Sequence, residues 1–222
     1  MDSYHLGVVA HVDRVKQLDP LRALDPEIVN VDDGTLGATG NHLAVYQALQ
    51  KRTGLDEWLV ILEDDAVPVE GFTDQLAMAL AVAPTPLVSL YLGTGYPAQY
   101  QRLFMEAVNN HPDACWFLHP QLRNAVGYAV HGSIARAVGV GYAQQAAKRF
   151  SPEDCISWWS LRNRENVAYC HPCLVDHEDG PTVMDYRMHL GHAQPAGRKR
   201  PRKAMVVGTR LQWSNSAVIV RP

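Results

Sequence analysis

The sequence predicts an α/β domain with a mostly parallel central sheet flanked by helices. Two observations carry this. Short apolar runs alternate with stretches of helical periodicity along most of the chain. Three of the apolar runs also end in clusters of polar and acidic residues, as the carboxyl ends of strands in an open α/β sheet do. The chain has 222 residues, 47% hydrophobic and 19% charged, with no internal repeat. That length supports one compact domain burying about 70% of its unfolded surface, with no disulfide or metal needed for folding itself.

Tyr4–Ala10 reads as a buried first strand that runs into His11-Val12-Asp13-Arg14. Glu27–Val31 is the second strand, ending in Asp32-Asp33-Gly34. Asn41–Arg52 has Leu43, Tyr46 and Leu49 at helical spacing, with Gly54 suited to its C-terminal cap. Trp58–Leu62 is a third strand that drives directly into Glu63-Asp64-Asp65. Phe72–Ala83 is a helix stopped by Pro84 and Pro86, and Leu87–Leu92 a strand followed by a Gly-rich loop over 93–100. A strand near Ala125–Val130 precedes a helix from Ser133. In Ser151-Pro152-Glu153-Asp154, Ser151 is a natural N-cap, Pro152 fits the first helical position and Asp154 completes a capping-box-like pattern. Val167–Cys170 and Leu174–His177 read as a short strand and a loop. A domain over 1–190 is therefore expected, followed over 191–222 by a basic arm with β character in Met205–Val220.

No run of 18 apolar residues predicts a membrane-spanning helix, and the N-terminus lacks the charge and apolar pattern of a signal peptide, so a cytoplasmic setting is expected. Residues 1–185 hold 12 Lys+Arg against all 23 Asp+Glu, whereas residues 186–222 hold 8 Lys+Arg and no acid. Such asymmetry suggests a polyanionic partner, or simply a solvated tail. Arg198, Lys199, Arg200, Arg202 and Lys203 put five cations in six positions, enough to neutralise several phosphates of DNA or RNA, or to meet anionic lipid heads. Cys170 and Cys173 form one CxxC, which Cys155 and His177 could extend to a zinc set; a lone pair is more often two packed thiols.

Three consecutive carboxylates repel one another, and a fold tolerates them best around a cation. The run VILEDDAVPVEGF resembles the strand and DXD-type metal motif of GT-A glycosyltransferases, in particular the family-25-like, lipopolysaccharide-type group. Gly37-Ala-Thr-Gly-Asn-His42 is similar to that group's Gly-rich run, Asn124-Ala-Val-Gly-Tyr-Ala-Val to its acceptor-side strand, and Pro172-Cys-Leu-Val-Asp-His177 to the late segment that often supplies a histidine ligand. The resemblance covers about residues 4–183; the group's usual Cys and Ser are replaced within Ala38–Asn41, and the basic tail has no counterpart.

The resemblance implies a GT-A fold and sugar transfer from a nucleoside-diphosphate sugar, expected to be a UDP-sugar, to an acceptor hydroxyl with inversion. It implies Asp65 and His177 as ligands of Mn²⁺ (or Mg²⁺), and Glu63 and Asp64 against the donor ribose or sugar. Ala10, His11, Asp13 and Asp32 would meet base and ribose, with Asp33 a donor contact or a turn residue. Asp154, or Glu153 in competition with it, would be the base that takes the acceptor's proton, and Trp158 and Trp159 an acceptor platform. The basic arm suggests a hydroxymethylated base in DNA as acceptor, against a saccharide or lipid-linked glycan. Outside this class stand a nucleotidyltransferase, whose basic Gly-rich loop VVAHVDR lacks, a zinc deaminase, whose His-x-Glu pair is missing, and a non-catalytic nucleic-acid-binding protein.

Overall fold

The computed structural model describes residues 3–94, 98–178 and 202–220. The chain forms an α/β domain around an eight-stranded sheet. β1 (Tyr4–His11) leads through a 3-10 turn (Val12–Gln17) and the short α1 (Asp19–Arg22) to β2 (Ile28–Asp32). α2 (Gly37–Gln50) crosses to β3 (Trp58–Glu63). β4 (Ala66–Pro68), α3 (Phe72–Leu80), β5 (Leu87–Ser89), α4 (Ala98–Asn110), β6 (Trp116–His119) and β7 (Gly127–His131) follow. α5 (Gly132–Ala146), α6 (Pro152–Asn163), β8 (Val167–Cys170), β9 (Val175–His177) and β10 (Ala217–Ile219) complete the order.

The strand order is β10-β6-β8-β5-β7-β3-β1-β2, with β4 and β9 paired apart from it. The sheet is mixed: β7 runs against both β3 and β5, and β6 runs against β8, while the other four pairings are parallel. Every residue of Trp58–Leu62 is buried, because β3 is central and covered on both faces. Leu59 and Ile61 pack with Val45, Tyr46 and Leu49 of α2, with Phe104 of α4, and with residues of α5 and α6. Trp58, Val60 and Leu62 pack on the other face with Phe72 and Leu76 of α3 and with Leu18 and Leu21. Gly7 shows how closely α2 lies on β1: a Cβ there would come within 2.5 Å of Val45 Cγ1.

The observed elements differ from the sequence expectation in three places. α2 begins at Gly37 rather than Asn41, since Asp32 accepts the backbone N–H groups of Leu36 and Gly37 and anchors a start that the glycines alone disfavour. Residues 101–124, to which the sequence pattern assigns no element, contain most of α4 and all of β6. Leu174–His177, read as a loop, ends in β9.

The described part of the C-terminal segment is woven into the same domain. Val207 bridges Cys173, Ala204 bridges Gly93, and β10 extends the sheet beside β6. Trp213 lies 5.4 Å from Trp116 between ring centroids and donates to Gln75. The clasp is Arg210, whose guanidinium donates to the carbonyls of His171 (2.6 Å), Ala114 (2.7 Å), Asp113 (3.2 Å) and Pro112 (3.5 Å). Bonds to a charged donor each contribute about 1.5–3 kcal/mol when well formed. Arg210→Ala is expected to cost about 2–3 kcal/mol, lowering the melting temperature by about 4–10 °C in thermal denaturation, with Arg210→Lys recovering only part. Among the described residues no helix is long and apolar enough to cross a membrane.

Candidate functional site

The parallel register sets His11 beside Asp32 and Val9 beside Glu63, so the polar clusters that end β1, β2 and β3 share one sheet edge. The chain turns sharply after β1, and this turn carries Arg14 back over the edge, where it is 9% exposed. Its Nη1 lies 2.9 Å from Asp64 Oδ1 and 2.6 Å from Asp65 Oδ2. Asp64 Oδ2 also accepts the backbone N–H of His11 at 2.7 Å. The antiparallel pairing of β4 with β9 sets His177 opposite Ala66, and His177 Nε2 then lies 3.2 Å from Asp65 Oδ2. Asp65 Oδ1 is buried with no hydrogen-bond partner.

These contacts shape the charge. Burial raises the pKa of Asp65, but His177 and Arg14 outweigh it and hold the carboxyl below the usual range. For Asp64 burial prevails over the His11 N–H and Arg14, and its pKa rises. Glu63 reaches the other way, with Oε1 3.0 Å from Nε2 of His42 on α2, a ring only 1% exposed. His42 Nδ1 is 3.4 Å from the Tyr128 hydroxyl. The three acids therefore have protein counter-groups, and the cation among them is Arg14.

The expected metal pair, Asp65 and His177, does come together. Their 3.2 Å contact runs through Asp65 Oδ2, the oxygen that Arg14 also takes. The buried, unpartnered Asp65 Oδ1 is the atom that an ion could use. Among the described residues no group of three or more His, Cys, Asp or Glu could hold an ion, so phosphate and water oxygens would have to complete the shell.

Of the expected donor contacts, the Ala10 carbonyl accepts from Asn41, which also bonds Asn30 and so spans β1 and β2. The His11 ring accepts the N–H of Asp13, whose own carboxylate is exposed. Asp32 is committed to the start of α2. Asp33 accepts from the backbone N–H and hydroxyl of Thr35, bonds that hold its carboxyl below the usual range. His11, Asp13, Glu63 and Asp64 thus line the edge, while Asp32 and Asp33 build it.

At the start of α6 the two candidate bases separate. Asp154 is exposed and accepts from the Ser151 hydroxyl at 2.9 Å, while its own N–H donates to Ser151 Oγ at 3.4 Å: it completes the cap. Glu153 turns inward, half-buried; loss of water and the repulsion of Glu63 and Asp154 push its carboxyl up to about 7. Trp159 is a core residue, 8% exposed. Trp158 is half-buried, with Gly141 of α5 beside its ring and the Arg162 guanidinium 5.4 Å from the ring centroid.

Arg198, Lys199 and Arg200 lie outside the described residues. Lys203 does reach the site: its Nζ donates to the His177 carbonyl at 2.8 Å and lies 3.3 Å from Asp176 Oδ2. The Arg202 carbonyl accepts from the Tyr91 hydroxyl. The cysteines are free, buried thiols. Cys173 Sγ accepts the N–H of Leu92, and burial pushes Cys155 and Cys173 up to about 12; with His177 turned to Asp65, Cys170 and Cys173 are packed thiols.

Arg14, His42 and Asn41 are the site residues that sequence reasoning missed. Arg14 stood in the polar cluster after the first strand, and the other two in the Gly-rich run, but nothing local distinguishes a pairing cation from a solvated one. No protein-family model matches the chain, and no curated protein matches it in sequence.

Proposed function

We propose that the protein is a metal-dependent glycosyltransferase that moves a sugar from a nucleoside-diphosphate sugar, a UDP-sugar by preference, to an acceptor hydroxyl with inversion. The observation that carries this reading is the meeting of Asp65 and His177 at the sheet edge, with one Asp65 oxygen buried and unbonded. A divalent ion held there would neutralise the charge that develops on the leaving diphosphate. The chain's own residues supply the rest. His11 and Asp13 stand where the nucleoside would lie, on the neighbouring strand end. Glu63, oriented by His42, can accept from the donor sugar. Glu153, poised near neutrality, can take the acceptor's proton as its oxygen attacks the anomeric carbon and the diphosphate departs. A mixed sheet of this order is compatible with the GT-A class.

For the acceptor, the cationic run that ends in Lys203 beside His177 supports a polyanion, and a hydroxymethylated base flipped from DNA is the acceptor we propose first. A saccharide or lipid-linked glycan is the alternative, and filter binding to duplex DNA at two salt concentrations separates the two. The activity itself is tested by incubating the full chain with UDP- and GDP-sugars, with and without Mn²⁺. Sugar-nucleotide turnover that requires Mn²⁺ is expected. Absence of turnover for every donor, together with no thermal stabilisation by any nucleotide, would remove the reading.

A further inference from the structure

We propose that Arg14 is a resident counter-cation that competes with the divalent ion for Asp65, so that a lone ion binds weakly and loading is completed only when an incoming diphosphate accepts the guanidinium. The inference rests on the metal reading above and adds to it a residue that controls when the metal enters.

The geometry is specific. A single nitrogen, Arg14 Nη1, bridges Asp64 and Asp65 at 2.9 and 2.6 Å, and the oxygen it takes on Asp65 is the one that His177 Nε2 also approaches at 3.2 Å. An ion seated between Asp65 and His177 would therefore lie close to a positive nitrogen in a poorly hydrated place, where like charges repel strongly. Asp65 Oδ1 is the one carboxylate oxygen of the pair left to an ion, and it is buried without a partner. Arg14 need not travel far to make room, because Asp64 can keep it while Asp65 is released. The backbone N–H of His11 holds Asp64 in place for that exchange. A diphosphate arriving at the edge offers a planar guanidinium better-matched oxygens than a shared nitrogen between two carboxylates does. Ion and diphosphate then favour each other reciprocally through Arg14 as well as by direct ligation.

The test is a Mn²⁺ titration of the full chain followed by electron paramagnetic resonance, with melting curves in parallel. Arg14→Met is expected to bind lone Mn²⁺ about tenfold or more tightly than the wild type, to melt lower without the ion, and to regain more stability on adding it. Arg14→Lys keeps the charge and, with its one nitrogen, can still bridge the two carboxylates as Nη1 does, so its affinity should stay near that of the wild type. Equal or weaker affinity in a cooperatively melting Arg14→Met overturns the inference while leaving the metal reading standing. If Arg14→Met does not fold, Arg14→Gln, which also removes the charge, decides: an affinity no tighter than that of the wild type overturns the inference. Mn²⁺ bound by none of these proteins, or bound equally after Asp65→Asn, removes the metal reading and the inference with it.

Discussion

Glu153→Gln is expected to make the protein more stable at pH 8 and to abolish most of its turnover. The carboxyl has a folded pKa of about 7 against an ordinary value of 4.5. A raised acid favours its protonated form in the fold, so its cost is absent below about pH 4.5, grows with pH, and is complete above pH 7. The gap is worth about 3 kcal/mol at 1.36 kcal/mol per unit, and partial exposure reduces it to about 1–3 kcal/mol. Glutamine keeps the shape without the charge. The variant should therefore melt about 2–10 °C above the wild type at pH 8, with the difference vanishing toward pH 4.5. Turnover should fall about 10²–10⁴-fold, as for loss of a general base. Asp154→Asn should leave turnover nearly intact, because that residue's contacts are those of a helix cap. A stabilised Glu153→Gln that still turns over would make Glu153 a strained structural acid and return the base to another residue.

Asp65→Asn, by contrast, should lower both stability and turnover. Asp65 is buried between Arg14 and His177, and removing its charge leaves the guanidinium with Asp64 alone. Breaking a buried pair costs about 3–5 kcal/mol, and the surviving Asp64 contact brings this to about 2–4 kcal/mol. Turnover should fall by about 10²-fold or more, since the charge that anchors the ion is gone. The stabilisation that Mn²⁺ with a nucleoside diphosphate gives the wild type in thermal melts should vanish too. A destabilised variant with full Mn²⁺-dependent turnover would show that the carboxylate serves the fold alone.

β1, β3 and the edge they share with β2 were legible, because β1 and β3 are central, largely buried strands and read as apolar runs, whereas β6 and β9 were not found. Trp58–Leu62 is the clearest case, and the acids that follow it fall where the run stops. Ser151 as an N-cap was equally readable, since capping depends on a few neighbouring residues. The reversal of β7 was not readable: an antiparallel strand buried on both faces has the same pattern as a parallel one. The integration of residues 202–220 was hidden as well. It depends on Arg210 meeting four carbonyls around positions 112–114 and 171, which no local pattern announces. At the site, Asp65 and His177 could be singled out by residue type and resemblance. The partner that changes their meaning, Arg14, is supplied by a turn after a different strand. Charge repulsion within Glu63-Asp64-Asp65 led to the expectation of a divalent ion, and what the fold brings to Asp64 and Asp65 is the guanidinium of Arg14.

The most direct measurement is a crystal structure of the protein with Mn²⁺ and a nucleoside diphosphate. The account predicts an ion bound by Asp65 and His177, with the diphosphate on its open side and Arg14 turned from Asp65 toward the phosphates. A nucleotide bound elsewhere, with Arg14 still bridging Asp64 and Asp65 and no ion beside them, would contradict it.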